Sequence, residues 1–377
     1  LFSSQVKEKK DGERTMLKHY ILYRHNNETY GPGLARLVKQ TFTHYAIAVA
    51  QAGEIRLHIG EGSGRYPEGG HERNDIDEEA GRLFQVGSVS KLITGALMVK
   101  LMETGELSPV DPVERFIPEW KLEGVEIGHL LTHTSGVDDM ALGREWPKRG
   151  EKAAYYRRIC ESARFRDKEQ PGMIARYNTH AYALLAEVLE RITGQSLERF
   201  GREQLFDPLG MTDTTYDVGS VRDRLAYPLD QATGEADISL ADNDITGDTG
   251  LCTTAADLLK FGQLVLNGGY FNGRHIYSTA AIDMMLRDAT IGGLGKTPIG
   301  WLNSGKEGQP FPISDFRRCF SDFHSPAAVG HNGYNGCWFF IDPQYAVTGA
   351  VLTNSRAMNL DGRHYKRIGN VLMNLKD

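Results

Sequence analysis

The chain reads as an α+β protein in which one antiparallel sheet is assembled from the two ends and a mainly helical domain is inserted between them. Three observations predict this. Two strand-like runs, residues 45–50 and 55–59, flank a turn at Gly53 and read as a hairpin. A second pair, residues 337–341 and 346–352, is joined by the turn Asp342-Pro343. Between these hairpins, apolar residues recur at helical spacing, and strands at both ends with helices between them fit one sheet interrupted by a helical insertion.

Taken in order, residues 1–30 are polar and charged and read as an extension with little structure. Leu34, Leu37, Val38 and Phe42 then follow a helical period ahead of the first hairpin. Residues 60–82 are rich in Gly, Glu and Arg and read as a loop. Gly60-Glu61-Gly62-Ser63-Gly64 is not followed by Gly-Lys-Ser/Thr, so it is read as a turn-rich connection rather than a phosphate loop. Leu184, Leu185, Val188, Leu189 and Ile192 form an apolar stripe that Gly194 closes. Another helix is expected over 255–266, stopped by Asn267-Gly268-Gly269, and a last one carries Ile368, Val371, Leu372 and Leu375. The expected division is a sheet domain from 31–87 and 270–377, and a mainly helical domain over 88–269, with the active site at their interface.

A chain of 377 residues can bury a substantial core in one large domain or two ordinary ones. Its 40% hydrophobic and 24% charged content are those of a globular protein. A net charge of −6 gives no reason to expect nucleic acid or an anionic membrane as partner, and no apolar run approaches a membrane span. Cys160, Cys252, Cys319 and Cys337 are scattered without metal-ligand spacing. No targeting segment is visible, which fits a cytoplasmic chain or an exported one whose signal has been removed. The expected partner is a small-molecule or peptide substrate; the sequence sets no oligomeric state.

The chemistry centres on Ser88-Val89-Ser90-Lys91. Residues three apart share a helix face, so the Ser88 hydroxyl and the Lys91 amine can meet. A serine hydroxyl becomes a nucleophile when a neighbouring base takes its proton, and burial or a nearby positive charge favours the neutral, basic form of a lysine. Ser4-Gln5-Val6-Lys7 matches the same pattern within a polar, lysine-rich stretch. After Lys91, by contrast, residues 92–102 are apolar around most of the helix, so Lys91 is expected to enter a packed interior, where an unpaired ammonium is costly.

Acyl transfer also needs a proton shuttle and an oxyanion hole. Tyr177, just before a helix start, is a candidate shuttle. The run Gly330-His331-Asn332-Gly333-Tyr334, leading into the second hairpin, allows close backbone approach at Gly333 and a backbone N–H beyond it to pair with that of Ser88. His331 would add a positive or hydrogen-bonding group. There is no Gly-x-Ser-x-Gly elbow, and His129 and His133 lack the glutamate of a zinc-protease motif, so neither a Ser–His–Asp triad nor a metal is expected.

These blocks, in this order, resemble the serine β-lactamase and penicillin-binding-protein superfamily, in particular its class C-like branch of D,D-peptidases, D-aminopeptidases, esterases and class C β-lactamases. The resemblance covers roughly residues 44–375. It rests on residues 86–91, 106–113, 129–136, 207–211, 250–258 and 330–333. It implies a β-lactamase/transpeptidase-like fold: a five-stranded antiparallel sheet flanked by terminal helices, with an all-helical domain inserted. It implies an acyl-enzyme at Ser88, with Lys91 and Tyr177 as proton carriers, backbone N–H groups of Ser88 and Tyr334 as the oxyanion hole, and no cofactor. In the Tyr-x-Asn motif, Thr179 stands where asparagine is usual, so one hydroxyl replaces an amide with separate donor and acceptor groups. His331 stands where class C β-lactamases carry lysine. It points to an esterase or D-stereospecific peptidase rather than a dedicated β-lactamase, and to activity that titrates with a histidine near neutrality. The alternative is a non-hydrolytic penicillin-binding sensor or scaffold that keeps the fold.

Overall fold

The computed structural model describes residues 26, 28–38, 44–62, 82–138, 146–230, 233–303 and 319–375. The Ser4-Gln5-Val6-Lys7 motif, residues 1–25 of the polar extension and most of the 60–82 loop lie outside these. The main sheet contains β1 (His44–Gln51), β2 (Glu54–Gly62), β3 (Lys296–Thr297), β4 (Gly300–Leu302), β5 (Val329–Asn332), β6 (Trp338–Asp342) and β7 (Val347–Thr353). Its order is β2-β1-β7-β6-β5-β4-β3, antiparallel throughout. The two ends of the chain pair directly: β1 runs beside β7, with Tyr45 opposite Thr353 and Gln51 opposite Val347.

The sheet therefore has seven strands, not the expected five. The reason is local. β3 and β4 are two and three residues long and are joined by Pro298-Ile299. Five is the number that the family resemblance implies, and these two short strands extend that sheet at one edge.

Both sheet faces are covered, and the pleat sorts the residues. Tyr45, Ile47, Val49, Phe340 and Val351 face one way and pack with Leu34 and Val38 of the helix over 28–38 and with Ile368 and Leu372 of the C-terminal helix Arg363–Leu372. Ala46, Ala48, Ala50, Phe339 and Leu352 face the other way, into the larger core with Phe261 of the helix Ala255–Leu266. Small residues let that helix sit close: a Cβ on Gly262 would lie 2.0 Å from the Thr348 hydroxyl oxygen. Each fully buried Leu, Ile or Phe contributes about 1.5–3 kcal/mol.

The helix Ser90–Glu103 runs through the middle of the larger core. Leu92, Ile93, Ala96, Leu97, Met98, Val99 and Leu101 are buried on all its sides, as the sequence predicts. Thr179–Thr193 and Thr279–Leu286 pack against it. The β3–β4 turn locks onto it as well. A Cβ on Gly95 would lie 2.1 Å from the Pro298 carbonyl oxygen, and Tyr182 Oη donates to that same carbonyl at 3.1 Å. This contact fixes the helix Ser90–Glu103 to the sheet edge. No helix among the described residues is long and apolar enough to cross a membrane.

Candidate active site

Ser88 lies in a 3-10 turn, Gly87–Val89, that enters the buried helix. Gly87 has φ +56°, a left-handed conformation that glycine adopts without strain. The turn is stitched from two sides. Ser90 Oγ donates to the Gly87 carbonyl at 2.6 Å and accepts from Leu251 N–H at 3.1 Å, while Val86 N–H donates to Leu251 O at 2.9 Å. Thr94 Oγ1 donates to Gly247 O at 2.6 Å. The segment 247–251 thus holds the Ser88 turn in register.

Two side chains converge on Ser88. Tyr177 Oη donates to Ser88 Oγ at 2.6 Å, and Lys91 Nζ donates to the same oxygen at 3.2 Å. Lys91 is 1% exposed, and its second bond runs to the Asp248 carbonyl at 2.6 Å. Its ammonium also lies 5.2 Å from the Tyr177 ring centre and 5.9 Å from that of Tyr182, close enough for a cation–π contribution. The Asp248 carbonyl was not foreseen from sequence. The only signal for it was the pair of glycines, Gly247 and Gly250, that set the chain turning around it at φ +75° and +92°.

Tyr177 is positioned by the helix start beyond it and by the rings around it. Asn178 caps the helix Thr179–Thr193 by accepting from Ala181 N–H at 2.9 Å and donates through Nδ2 to Val137 O at 3.2 Å. Its amide is therefore committed to the backbone. Thr179 follows as the first helical residue and is half-buried. His133 packs on the Tyr177 ring at 4.7 Å between centroids and accepts Asn178 N–H on Nδ1 at 3.2 Å. Trp301 of β4 stacks behind both, 6.3 Å from Tyr177 and 6.0 Å from His133. The paired histidines of the 129–133 segment thus have separate backbone tasks, since His129 Nδ1 accepts Glu126 N–H at 3.1 Å.

The opposite wall comes from the end of β5. A Cβ on Gly333 would lie 2.1 Å from Val86 O, and one on Gly87 would lie 3.0 Å from Tyr334 N. Two glycines therefore let the Ser88 turn and the strand end touch, with the Tyr334 N–H beside that turn. Asn359 clamps this end by donating to Gly333 O at 2.8 Å and to Tyr334 O at 3.0 Å. Sequence reading missed Asn359, because nothing in its local run distinguishes it.

His331 corrects an expectation. It is 1% exposed. Burial, reinforced by the Lys91 charge and, more weakly, by Lys296, pushes its pKa down to about 3 against a bond to the Asn332 carbonyl. It is therefore neutral near pH 7 and does not titrate there. A carbonyl can only accept, so the 2.7 Å contact from Nδ1 to Asn332 O puts the proton on Nδ1 and leaves Nε2 as an acceptor. His331 offers no positive charge where a lysine would. His133 is likewise held well below its ordinary range, by burial first and then by Lys91, His331 and Lys296.

A cavity of about 370 Å³ opens beside Ser88 and Tyr334. Asp230, Asp237 and Asp244 line it, against Arg356, whose guanidinium lies 3.5 Å from the Tyr334 ring centre. No group of three or more His, Cys, Asp or Glu side chains suited to a metal occurs among the described residues.

The family and relatives that this α+β chain matches are those of serine hydrolases of the β-lactamase and penicillin-binding type. The chain belongs to the Beta-lactamase family, whose model matches residues 35–371. Penicillin-binding protein 4 of Amycolatopsis lactamdurans is 27% identical over 304 residues, which are 75% of this chain and 75% of that protein. D-alanyl-D-alanine-carboxypeptidase/endopeptidase AmpH of Escherichia coli (strain K12) is 24% identical over 259 residues, 63% of this chain and 65% of that protein. Among solved structures, EstCE1, described as a hydrolase with promiscuous acyltransferase activity, matches with a TM-score of 0.72 at 19% identity. That match covers 92% of this chain and 99% of EstCE1.

Proposed function

We propose that the protein is a serine hydrolase working through an acyl-enzyme at Ser88, on an ester or a D-amino-acid amide or peptide in preference to a β-lactam. The observation that carries this reading is the convergence of Tyr177 Oη and Lys91 Nζ on one serine oxygen, at 2.6 and 3.2 Å. Both neighbours donate to Ser88 in the resting arrangement. Attack requires one of them to have shed its proton, and groups this close titrate as a set. The serine proton passes to Lys91 or Tyr177 as Oγ bonds to the substrate carbonyl carbon. The oxyanion lies between the N–H groups of Ser88 and Tyr334. Collapse breaks the bond to the leaving group, which takes a proton from Tyr177, and water then hydrolyses the acyl ester.

Two features favour ester or uncharged amide substrates over β-lactams. His331 is a neutral acceptor, so it supplies no cation for a substrate carboxylate. Three aspartates against one arginine make the cavity repel anions. Thr179, with a single hydroxyl in place of an amide, favours esters further. Relatives named for D-alanyl-D-alanine carboxypeptidase and penicillin binding support amides, and the EstCE1 description supports esters. The sensor or scaffold alternative is not favoured, because the serine, lysine and tyrosine are all in contact.

The test is a panel of a short-chain nitrophenyl ester, nitrocefin and a D-alanyl anilide, each against wild type and Ser88→Ala, with intact mass after a fluorophosphonate. One adduct on wild type and none on the variant is the expected outcome. A protein that takes no label, or that keeps the label in Ser88→Ala, would sink the reading.

A further inference from the structure

The cavity beside Ser88 is built from two kinds of side chain. Trp146, Val218, Pro228, Leu229 and Tyr334 give it an apolar lining, and Asp230, Asp237 and Asp244 an acidic one. The carboxylates are already engaged by nearby backbone. Asp230 Oδ1 accepts Thr233 N–H at 2.9 Å, and Asp237 Oδ1 accepts Ser239 N–H at 3.1 Å. Asp244 accepts Ile245 N–H on one oxygen and Gly150 N–H on the other, at 2.9 and 3.0 Å. The apolar surface is what remains for a ligand to cover.

Trp146 is held in this lining from two directions. Its Nε1 donates to Oδ2 of the fully buried Asp248 at 2.9 Å. The chain after it is tied to residues 239–244: Asp244 N–H donates to Pro147 O at 2.8 Å, Arg149 N–H to Asp242 O at 2.9 Å, and Lys148 Nζ to Ser239 O at 3.0 Å. Leu229 is fixed in turn by its N–H, which donates to Asn354 O at 2.8 Å just beyond β7. Asp248 therefore serves both parts of the site. Its carbonyl accepts Lys91 Nζ at 2.6 Å, and its carboxylate accepts the indole. At on the order of 30 Å³ for each water-sized group, a cavity of about 370 Å³ takes roughly ten of them, far more than an acetyl group brings. The leaving group has to lie where Tyr177 can protonate it. Ser88 lines the cavity, and Tyr177 is not among the described residues that do. The half of the substrate that stays on Ser88 is therefore the half that enters.

We infer that this cavity is an acyl pocket for a neutral, apolar group of phenylacetyl size. Trp146 is the side chain that selects that group, and Asp248 is a positioning residue that acts through the indole.

This inference rests on the serine hydrolase reading, and its test separates the two. Values of kcat/KM are measured for para-nitrophenyl phenylacetate and para-nitrophenyl acetate, each divided by the ester's rate with hydroxide to remove intrinsic reactivity. The phenylacetate-to-acetate ratio is expected to be about tenfold or more in wild type, and Trp146→Ala to lower it by about tenfold. A wild-type ratio that shows no preference, or a Trp146→Ala loss shared equally by the two esters, overturns the inference and leaves the hydrolase reading standing. If Trp146→Ala does not fold, Leu229→Trp, which fills the pocket instead of opening it, is expected to lower the same ratio, and an unmoved ratio overturns the inference. Asp248→Ala releases the indole and is expected to lower the ratio. Asp248→Asn keeps an oxygen for the indole N–H and is expected to hold the ratio near wild type, and an asparagine variant that behaves like alanine overturns the role of Asp248. If wild type hydrolyses neither ester, the hydrolase reading fails, and binding decides the pocket by itself. Fluorine NMR of para-fluorophenylacetamide with Ser88→Ala is then expected to show line broadening that is lost when Trp146→Ala is added. Lines that stay sharp with both variants overturn the pocket.

Discussion

On the helical wall of the cleft, Ser88, Lys91 and Tyr177 meet through direct hydrogen bonds of 2.6 and 3.2 Å. On the sheet wall, Gly333, Tyr334, His331 and Trp301 act through close backbone approach, burial and stacking. The helical wall depends on which atoms its residues carry. The sheet wall depends chiefly on which atoms are absent, namely the Cβ of Gly333 and the proton that burial keeps off His331. Substitutions should accordingly fail in different ways on the two sides.

The largest effect is expected at the nucleophile. Ser88→Ala should lower kcat/KM by about 10⁴-fold or more, and activity within tenfold of wild type would move the chemistry to another residue. Tyr177→Phe keeps the ring against His133 and Trp301 but loses the shuttle, so kcat should fall by about 10²–10⁴-fold with an unchanged melting temperature. Gly333→Ala tests the other wall. Its methyl would meet Val86 O, parting the two backbones and misplacing the Tyr334 N–H, with a loss of about 10²–10³-fold in kcat. In contrast to Tyr177→Phe, it should also lower the melting temperature.

The smallest effect is on stability and has a definite sign. His331 and His324 have folded-state pKa values depressed to about 3, and that of His133 is also lowered, whereas an unfolded histidine titrates near its ordinary 6.5. Below that value the unfolded chain binds protons that the folded chain refuses. Their contribution is thus complete above about pH 6.5 and is lost as pH falls toward 3. Unfolding free energies from urea titrations at pH 7 and pH 5 should differ by on the order of 1–2 kcal/mol for each of His331 and His324, and His331→Gln should reduce the slope. A pH-independent midpoint over that window would mean that the sheet wall is wetter than its burial implies.

The same contrast explains what could be read from sequence. Ser88 and Lys91 were legible because a helix converts a three-residue spacing into a shared face, and the apolar run after Lys91 marked that helix as buried. Tyr177 and the stretch 330–334 were legible chiefly through the family resemblance, since a tyrosine at a helix start or a glycine-rich turn is ordinary by itself. Other partners lie far along the chain. The Asp248 carbonyl is 157 residues from Lys91, and the Trp301 ring is 124 positions beyond Tyr177. No local pattern predicts such meetings. The charge state of His331 was misjudged for the same reason, because it is fixed by burial and by Lys91 and Lys296 rather than by its neighbours in sequence. Strands β3 and β4 lie beyond the five-stranded sheet that the family resemblance implies.

The interlock of Gly95 with Pro298 joins the helix behind Ser88 and the sheet edge as a mortise joins two beams. At that joint the helix and the sheet edge cannot part without opening a gap between Gly95 and Pro298. A substrate of the proposed reaction would meet Asp230, Asp237 and Asp244 in the cavity beside Ser88.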